Sequence, residues 1–332
     1  MLKRRIIIVG AGWAGKNTAE SLLNSRHAHK FEIIGFLDDR KEEINDIEII
    51  AGQKTVIIPV LNTSKHIVET AETYNANEVV IAITHEKKGH VLEQVVACYA
   101  NNLKVIQVPD LFAEVFKRIP INHIDHHWVL PTLKPPRRGL NEVVISAIDY
   151  AVSFILLITV LFPLFPFIYI AIKLSSPGPL FFFQKRIGLH GKRFTILKFR
   201  TMAHKAKGAS WTTEGDDRIT FTGKFMRKFR IDELPQLINV LRGEMALIGP
   251  RPEAVDLVAL YKREIPFYEY RYLVKPGVTG WAQVVYRNTC SVEGALNKLQ
   301  FDLYWIKNRS ITLCVKIIIK TIKVAVTGFG SV

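Results

Sequence analysis

Ile6-Ile7-Ile8-Val9-Gly10-Ala11-Gly12-Trp13-Ala14-Gly15 is the stretch that decides the fold of the first half of the chain. Four apolar residues make a buried strand. The glycines that follow allow a tight turn, close approach of a pyrophosphate, and close packing of a helix whose N-terminus faces an anion. A helical stretch runs to about Asn24, and a second strand, Phe31 to Leu37, ends in Asp38-Asp39. Asp38 falls 23 residues after Gly15, where an acid can reach a ribose hydroxyl. Strand, turn, helix, strand and acid together predict a Rossmann-like α/β domain. Its candidate nucleotide-binding residues are Gly10, Gly12, Gly15 and Asp38.

The elements beyond fit the same pattern. Thr55 to Val60, Glu78 to Ile83 and Leu103 to Val108 read as strands, and Ser64 to Tyr74 and Lys88 to Asn101 as helices. Nothing in this half looks catalytic. The Tyr-x-x-x-Lys pair of a short-chain dehydrogenase or sugar epimerase is missing, because Glu78 follows Tyr74 and Leu103 follows Tyr99 at that spacing. Two readings stay open: a nucleotide or nucleotide-sugar site, and a Rossmann shell kept for regulation or assembly. His123, His126 and His127 read as surface or interdomain histidines, since no upstream residues complete a metal set.

The start of the chain, Met1-Leu2-Lys3-Arg4-Arg5, has the charge of a signal peptide. The apolar run after it is too short and enters Gly10 directly, so it reads as a strand and the N-terminus is expected in the cytosol. Cys98, Cys290 and Cys314 are odd in number and far apart, which suggests neither a disulfide framework nor a metal knuckle.

Charge divides the 332 residues. Up to Pro136 there are 16 Lys+Arg and 16 Asp+Glu; from Arg137 on there are 29 and 14, which accounts for the whole net charge of +15. Such a field suits phosphorylated ligands, nucleic acid or an anionic membrane. No stacking-and-basic motif for nucleic acid is present, so none is expected as a partner. Pro131 to Arg138 reads as a linker stiffened by Pro135-Pro136. The expected division is a Rossmann-like domain over 1–130, a linker over 131–140, a membrane helix over 141–174 and a second α/β domain over 175–332.

Tyr150 to Ile172 is 23 residues without a charge, enough for about 35 Å of helix. Pro163 and Pro166 interrupt it. Basic residues flank it on both sides: Lys134, Arg137 and Arg138 before, Lys173, Lys185 and Arg186 after. A single span cannot keep both flanks in the cytosol, whereas a re-entrant helix-break-helix can. Phe221 to Phe229 reads as an amphipathic basic helix. Ser310 to Val326 carries Lys316, Lys320 and Lys323 as one ridge, which fits either a surface helix with snorkelling lysines or an ordinary packing helix.

The chemistry falls on Arg230-Ile231-Asp232-Glu233-Leu234-Pro235-Gln236-Leu237. Glu233 to Arg242 should be helical, which puts Asp232 near the N-cap and Glu233 at the helix start. Capping alone explains both acids. Among so many cations, an acid pair is also placed to hold Mg²⁺ and attack a phosphorus.

At this point the sequence resembles the bacterial polyprenyl-phosphate glycosyl-1-phosphate transferases. The likeness runs from about Asn141 to Val332. It includes Ser176-Pro177-Gly178-Pro179, Gln184-Lys185-Arg186-Ile187-Gly188, Lys198-Phe199-Arg200-Thr201-Met202, Asp232 to Leu237, Gly249-Pro250-Arg251-Pro252-Glu253, Lys275 to Gln283 and Lys298 to Tyr304. Each block is weak alone; all of them in this order are specific. Departures are Gly294 and Cys314, which stand where an acid is common. Larger members carry a similar Rossmann-like domain after a four-helix membrane bundle, which is not expected here.

The resemblance implies a monotopic membrane protein on the cytoplasmic face of the bacterial inner membrane. It implies transfer of a sugar-1-phosphate from a UDP-sugar to polyprenyl phosphate, releasing UMP, as the first step of a surface polysaccharide such as exopolysaccharide, capsule or O-antigen. It makes Asp232 the nucleophile that forms an aspartyl-phosphosugar, and Glu233 its partner, the two holding Mg²⁺. Lys198, Arg200, Arg230, Gln236, Arg251 and Lys275 become the candidate substrate contacts. The sugar and the state of self-association stay open. The rivals are an NAD-dependent nucleotide-sugar dehydratase or epimerase and a non-catalytic membrane sensor of nucleotide sugars.

Overall fold

The computed structural model describes residues 3–43, 46–83, 89–135, 139–203, 216–286 and 291–327. The end of the expected linker (136–138), most of the polar Lys205–Asp217 stretch and Cys290 lie outside these residues. The chain forms two compact units, Met1–Val129 and Leu130–Val332.

In the first unit the elements are β1 (Arg4–Val9), α1 (Trp13–Leu23), β2 (Phe31–Leu37), β3 (Asp46–Ala51), β4 (Lys54–Asn62), α2 (Ile67–Thr73), β5 (Glu78–Ile81), α3 (Gly89–Ala100), β6 (Lys104–Gln107) and α4 (Val108–Phe116). The sheet order is β3-β4-β2-β1-β5-β6, and every pairing is parallel except β3 with β4. The alternation of β1 explains why it lies at the centre. Ile6 and Ile8 enter one apolar core and Ile7 and Val9 the other, all four wholly buried. The chain leaves β1 for β2 on one side and returns to β5 on the other, so the glycine turn sits at the switch in strand order. β3 is a strand that the sequence reading passed over, although Ile47 and Ile49 alternate with Asp46 and Glu48.

The linker reading needs correction at its start. Residues His126–Thr132 form a short helix, α5, with Pro131 inside it. Asp125 Oδ1 accepts from the Trp128 amide at 2.7 Å and so caps the helix start.

The second unit runs α6 (Leu140–Leu156), a π-helical turn (Leu157–Leu161), α7 (Phe162–Ser175), β7 (Phe181–Ile187), β8 (Arg193–Phe199), α8 (Phe221–Lys228), a 3-10 turn (Ile231–Glu233), α9 (Gln236–Leu241), β9 (Ala246–Ile248), α10 (Val255–Glu264), a 3-10 turn (Tyr268–Leu273), β10 (Gly277–Thr279), α11 (Trp281–Val285), α12 (Val292–Asn308) and α13 (Ile311–Thr327). β7 and β8 form an antiparallel ribbon, and β9 and β10 a short parallel pair. The fold class of the chain is therefore mixed α/β, with a mostly parallel sheet in its first unit.

Glu142–Ser175 is a single 34-residue helical stretch, the one helix among the described residues long and apolar enough to cross a membrane. Its irregularity is the π turn, which ends two residues before Pro163. A proline removes a backbone donor, and a π turn is a common way for a helix to absorb the lost bond. Both ends of the stretch are tied to the rest of the unit. Near its start, Asp149 Oδ1 accepts from the Leu247 amide at 3.2 Å and Glu142 pairs with Arg309 at 2.8 Å. At its end, the Arg200 guanidinium donates to the carbonyls of Ile172, Ser176 and Pro177. Between these anchors Phe162, Phe167 and Ile170 are exposed.

Two of the lysines of α13 lie over an aromatic ring. The Lys316 and Lys320 ammonium groups lie 5.6 and 5.7 Å from the centre of the buried Trp281 ring. Lys316 and Lys323 are exposed, as are Ile311, Val315, Ile319 and Ile322. Attraction of a cation to an aromatic face accounts for the approach of Lys316 and Lys320 to Trp281.

Candidate active site

The site begins where α8 ends. Arg230 takes a left-handed conformation (φ 57°) and turns the chain into the 3-10 turn that holds both acids. α9 starts only after Pro235. The expected cap is therefore absent: Asp232 and Glu233 precede the helix, and no side chain caps α9. Leu234-Pro235 delays the helix by a turn, which keeps the Asp232 carboxylate from the amides it was expected to satisfy.

Both acids are buried, yet their partners differ. Glu233 Oε1 accepts from Lys198 Nζ at 2.8 Å and from Arg251 Nη2 at 2.7 Å, while Arg230 lies 3.8 Å from Oε2. Lys198 comes from β8 and Arg251 from the turn after β9. α9 is clamped to β8 by Asn239, whose Oδ1 accepts from the Leu197 amide at 3.1 Å and whose Nδ2 donates to the Thr195 carbonyl at 2.8 Å. The turn that presents Arg251 depends on Gly249 and Gly277. A Cβ on Gly277 would lie 2.0 Å from the Gly249 nitrogen, so only glycine permits this approach.

Asp232 has no hydrogen bond or ion pair to a described residue. Burial, and then the neighbouring Glu233 charge, push its carboxyl up to about 6; Lys198, Arg227 and Arg251 oppose them. Burial also acts to raise Glu233, but Arg251 and Lys198 outweigh it and hold that carboxyl well below its ordinary value. One acid is thus a fixed anion inside a cage of cations. The other is an open carboxylate facing the field of that cage.

Three of the six expected substrate contacts, Lys198, Arg230 and Arg251, converge on Glu233. Gln236 is buried one turn beyond Asp232, and its Nε2 has no partner among the described residues. Arg200 instead holds the end of α7 through the three carbonyls named above. Lys275 Nζ lies 6.0 Å from the centre of the Tyr150 ring on α6. Arg227, expected on a basic helix and among the cations around the acids, lies close to Asp232. Its Nε donates to Thr201 Oγ1 at 2.9 Å, and its charge contributes to the field at Asp232. Proximity to the acid follows from the turn at Arg230, which no local pattern announces.

The donor set suits a hard cation. Among the described residues no three His, Cys, Asp or Glu side chains gather for a metal. Mg²⁺, however, takes one or two carboxylates and completes its shell with water and substrate phosphate. Asp232, with no partner, and Glu233 Oε2, with only a distant arginine, meet that description.

In the first unit, Gly10, Gly12, Gly15 and Asp38 meet at the carboxyl edge of β1 and β2. Gly10 has φ 106°, and a Cβ on Gly15 would lie 1.9 Å from the Gly10 carbonyl oxygen. Asp38 Oδ2 accepts from the Ala11 amide at 2.8 Å, and Oδ1 accepts from the Arg40 amide at 3.0 Å and its guanidinium at 3.1 Å. Burial acts to raise this carboxyl, but the bonds from Arg40 and Ala11 hold it below its ordinary value. His123 is buried rather than at a surface. It stacks on Trp13 with centroids 4.8 Å apart, and its Nε2 lies 2.9 Å from Asn17 Oδ1. His126 and His127 are exposed.

Comparison with known proteins agrees with this layout. Residues 140–328 match the bacterial sugar transferase family, and residues 2–109 match a CoA-binding domain family. The chain belongs to the bacterial sugar transferase family. It is 39% identical over 241 residues to the UDP-N-acetylgalactosamine-undecaprenyl-phosphate N-acetylgalactosaminephosphotransferase of Aeromonas hydrophila, covering 70% of this chain and 55% of that protein. It is 32% identical over 326 residues to the UDP-glucose:undecaprenyl-phosphate glucose-1-phosphate transferase of Escherichia coli (strain K12), covering 96% of this chain and 67% of that one. A protein of the same name from Xanthomonas campestris pv. campestris is 34% identical over 279 residues, covering 80% and 56%. The chain thus spans between about half and two thirds of the length of these relatives.

Proposed function

We propose that the protein transfers a sugar-1-phosphate from a UDP-sugar to undecaprenyl or a similar polyprenyl phosphate, with Asp232 as nucleophile. The observation that carries this reading is the contrast within the acid pair: a buried Asp232 with no partner among the described residues, beside a Glu233 already neutralised by Lys198, Arg251 and Arg230. The names of the relatives supply the class of donor and acceptor.

In the first step an Asp232 oxygen attacks the β-phosphorus of the donor. The bond from that phosphorus to the bridging oxygen breaks, and UMP leaves with the electron pair. The aspartyl-phosphosugar is then attacked by an oxygen of the lipid phosphate, which releases the Asp232 carboxylate and gives polyprenyl-diphospho-sugar. Division into two steps lets a water-soluble donor and a membrane-bound acceptor use one site in turn. No cation among the described residues is bonded to the Asp232 carboxylate, so one of its oxygens is free to attack while the other can share a metal with Glu233. The cations on Glu233 meet the charge that develops on the diphosphate. Asp232 and Glu233 Oε2 are the groups that would hold Mg²⁺, which would supply Lewis-acid stabilisation of the diphosphate oxygens.

Both ends of the 34-residue apolar stretch are bonded to one unit. A bilayer core is about 30 Å thick, and a spanning helix would carry one of those ends to the far side. This supports a monotopic attachment, with the helix entering and leaving on one face, which we take to be cytoplasmic. The exposed apolar residues of α13 extend the lipid-facing surface. In the first unit, the glycine turn is offered as a nucleotide site in which Asp38 braces the turn.

The test is Asp232→Asn. The purified variant, supplied with Mg²⁺, polyprenyl phosphate and a panel of UDP-sugars, should release no UMP while remaining folded and membrane-bound. Retained turnover would sink the nucleophile assignment. Labelling of single cysteines placed before residue 139 and after Lys173 should find both on the same side; opposite sides would mean a true span.

A further inference from the structure

Behind the Gly249–Glu253 turn lies a buried fork. Arg271 and Asp302 are 5% and 1% exposed. Arg271 Nη2 donates to Asp302 Oδ2 at 2.9 Å and to the main-chain carbonyl of Arg251 at 2.9 Å. Arg271 Nη1 donates to the Tyr268 hydroxyl and stands 3.9 Å from Glu253. None of these atoms touches Asp232 or Glu233.

The turn itself has two prolines and no ladder of its own. Four consecutive carbonyls are held from outside. Pro250 accepts from the Gly277 amide at 2.9 Å, Arg251 from Arg271, Pro252 from Arg186 Nη1 at 3.0 Å, and Glu253 from the Ile187 amide at 3.2 Å. Of these donors, Arg271 grips the residue whose side chain reaches Glu233. A charged fork is costly to bury, and Asp302 offsets that cost only because it lies within hydrogen-bond distance. The chain therefore maintains a buried ion pair at a place where its one contact with the site is the main chain of Arg251.

We propose that Arg271, anchored by Asp302, is a positioning residue for the transfer: it fixes the Arg251 main chain so that the Arg251 guanidinium meets Glu233 beside Asp232. This rests on the reading of the acid pair given above. A displacement of about 1 Å at the turn is enough to cost a reaction of this kind on the order of a hundredfold.

Arg271→Lys separates bracing from charge. Lysine keeps a cation opposite Asp302, but a single ammonium does not reproduce the planar fork to Arg251, Asp302 and Tyr268. Asp302→Asn is the second variant, removing the anchor while keeping its shape. Two measurements decide. Hydrogen exchange on the full chain should show the Gly277 amide and the amides of residues 249–254 exchanging at least about tenfold faster in either variant, with β8 and α9 unchanged. Protection that is unaltered at the turn, or lost equally everywhere, overturns the proposal. In UMP release, Arg271→Lys and Arg251→Lys should each lower kcat by about tenfold or more. The double variant should be no more than about threefold slower than the slower single. Losses that multiply would make Arg271 merely structural. If the wild type releases no UMP from any UDP-sugar, the proposed function fails, while the exchange pattern still decides the brace.

Discussion

Asp38 and Asp232 are the same residue in opposite circumstances. Asp38 closes the glycine turn of the first unit. Its two oxygens accept from the Ala11 amide and from Arg40, and its carboxyl is held below the ordinary value. Asp232 is buried next to a second acid, accepts nothing from a described residue, and is pushed up to about 6. Cations stand near both. At Asp38 they are bonded to the carboxylate; around Asp232 they are bonded to its neighbour, Glu233. A partnered acid holds a backbone in place, whereas an unpartnered one is available to react.

The largest effect that sharpens this contrast is on turnover. Asp232→Asn should lower UMP release at least about a thousandfold with no loss of folding, since it removes a nucleophile and no bond. Asp38→Asn should leave turnover within about threefold and destabilise the first unit by about 1 kcal/mol, the worth of a hydrogen bond. Equal losses of activity in the two variants would break the comparison.

Glu233→Gln tests the other half of the pair. It leaves Lys198 and Arg251 without their counter-charge, and breaking such a buried pair costs about 3–5 kcal/mol. Denaturant unfolding of the second unit should show that loss, in contrast to the unharmed Asp232→Asn. A stable Glu233→Gln would mean that the cations do not depend on it.

His123 offers a third test, by pH. Burial lowers its imidazole from 6.5 to about 4. The unfolded chain therefore binds the proton more readily than the folded one. The stability concerned is fully present above about pH 6.5 and is lost as pH falls toward 4, amounting to about 3 kcal/mol. Hydrogen exchange in α1 should accelerate over that window, and His123→Gln should remove the dependence. An unchanged pH response in the variant would assign it elsewhere.

The smallest effect lies on α13. Removing the Lys316 and Lys320 ammonium groups from Trp281 should cost about 1 kcal/mol or less for each. A larger loss in thermal unfolding would mean that these lysines carry more than a contact with an aromatic face.

The sequence displayed the elements better than their joints. β1, the glycine turn and β2 were legible because burial on both faces leaves an unbroken apolar run, and a turn without Cβ atoms leaves glycines. The acid pair was legible as a pair. Its capping role was misread because α9 begins only after Leu234-Pro235, and the acids sit in a 3-10 turn entered through the left-handed Arg230, a conformation the residue type does not advertise. Arg200 and Lys275 are expected on phosphate; in the fold Arg200 also holds the end of α7 and Lys275 lies over Tyr150. A basic residue beside a motif looks the same whether its partner is a ligand or a carbonyl.

Local pattern alone determined the Rossmann-like half, the long apolar helix and the presence of two adjacent acids in a basic domain. Those features follow from spacing along the chain, which short-range sterics and hydrophobic burial convert directly into structure. Tertiary structure decided which acid is neutralised, which cations do it, and that Arg271 and Asp302 stand behind the turn carrying Arg251. Each of those facts is a meeting of side chains from separate elements, where the energy depends on distance and burial that no single stretch of sequence contains.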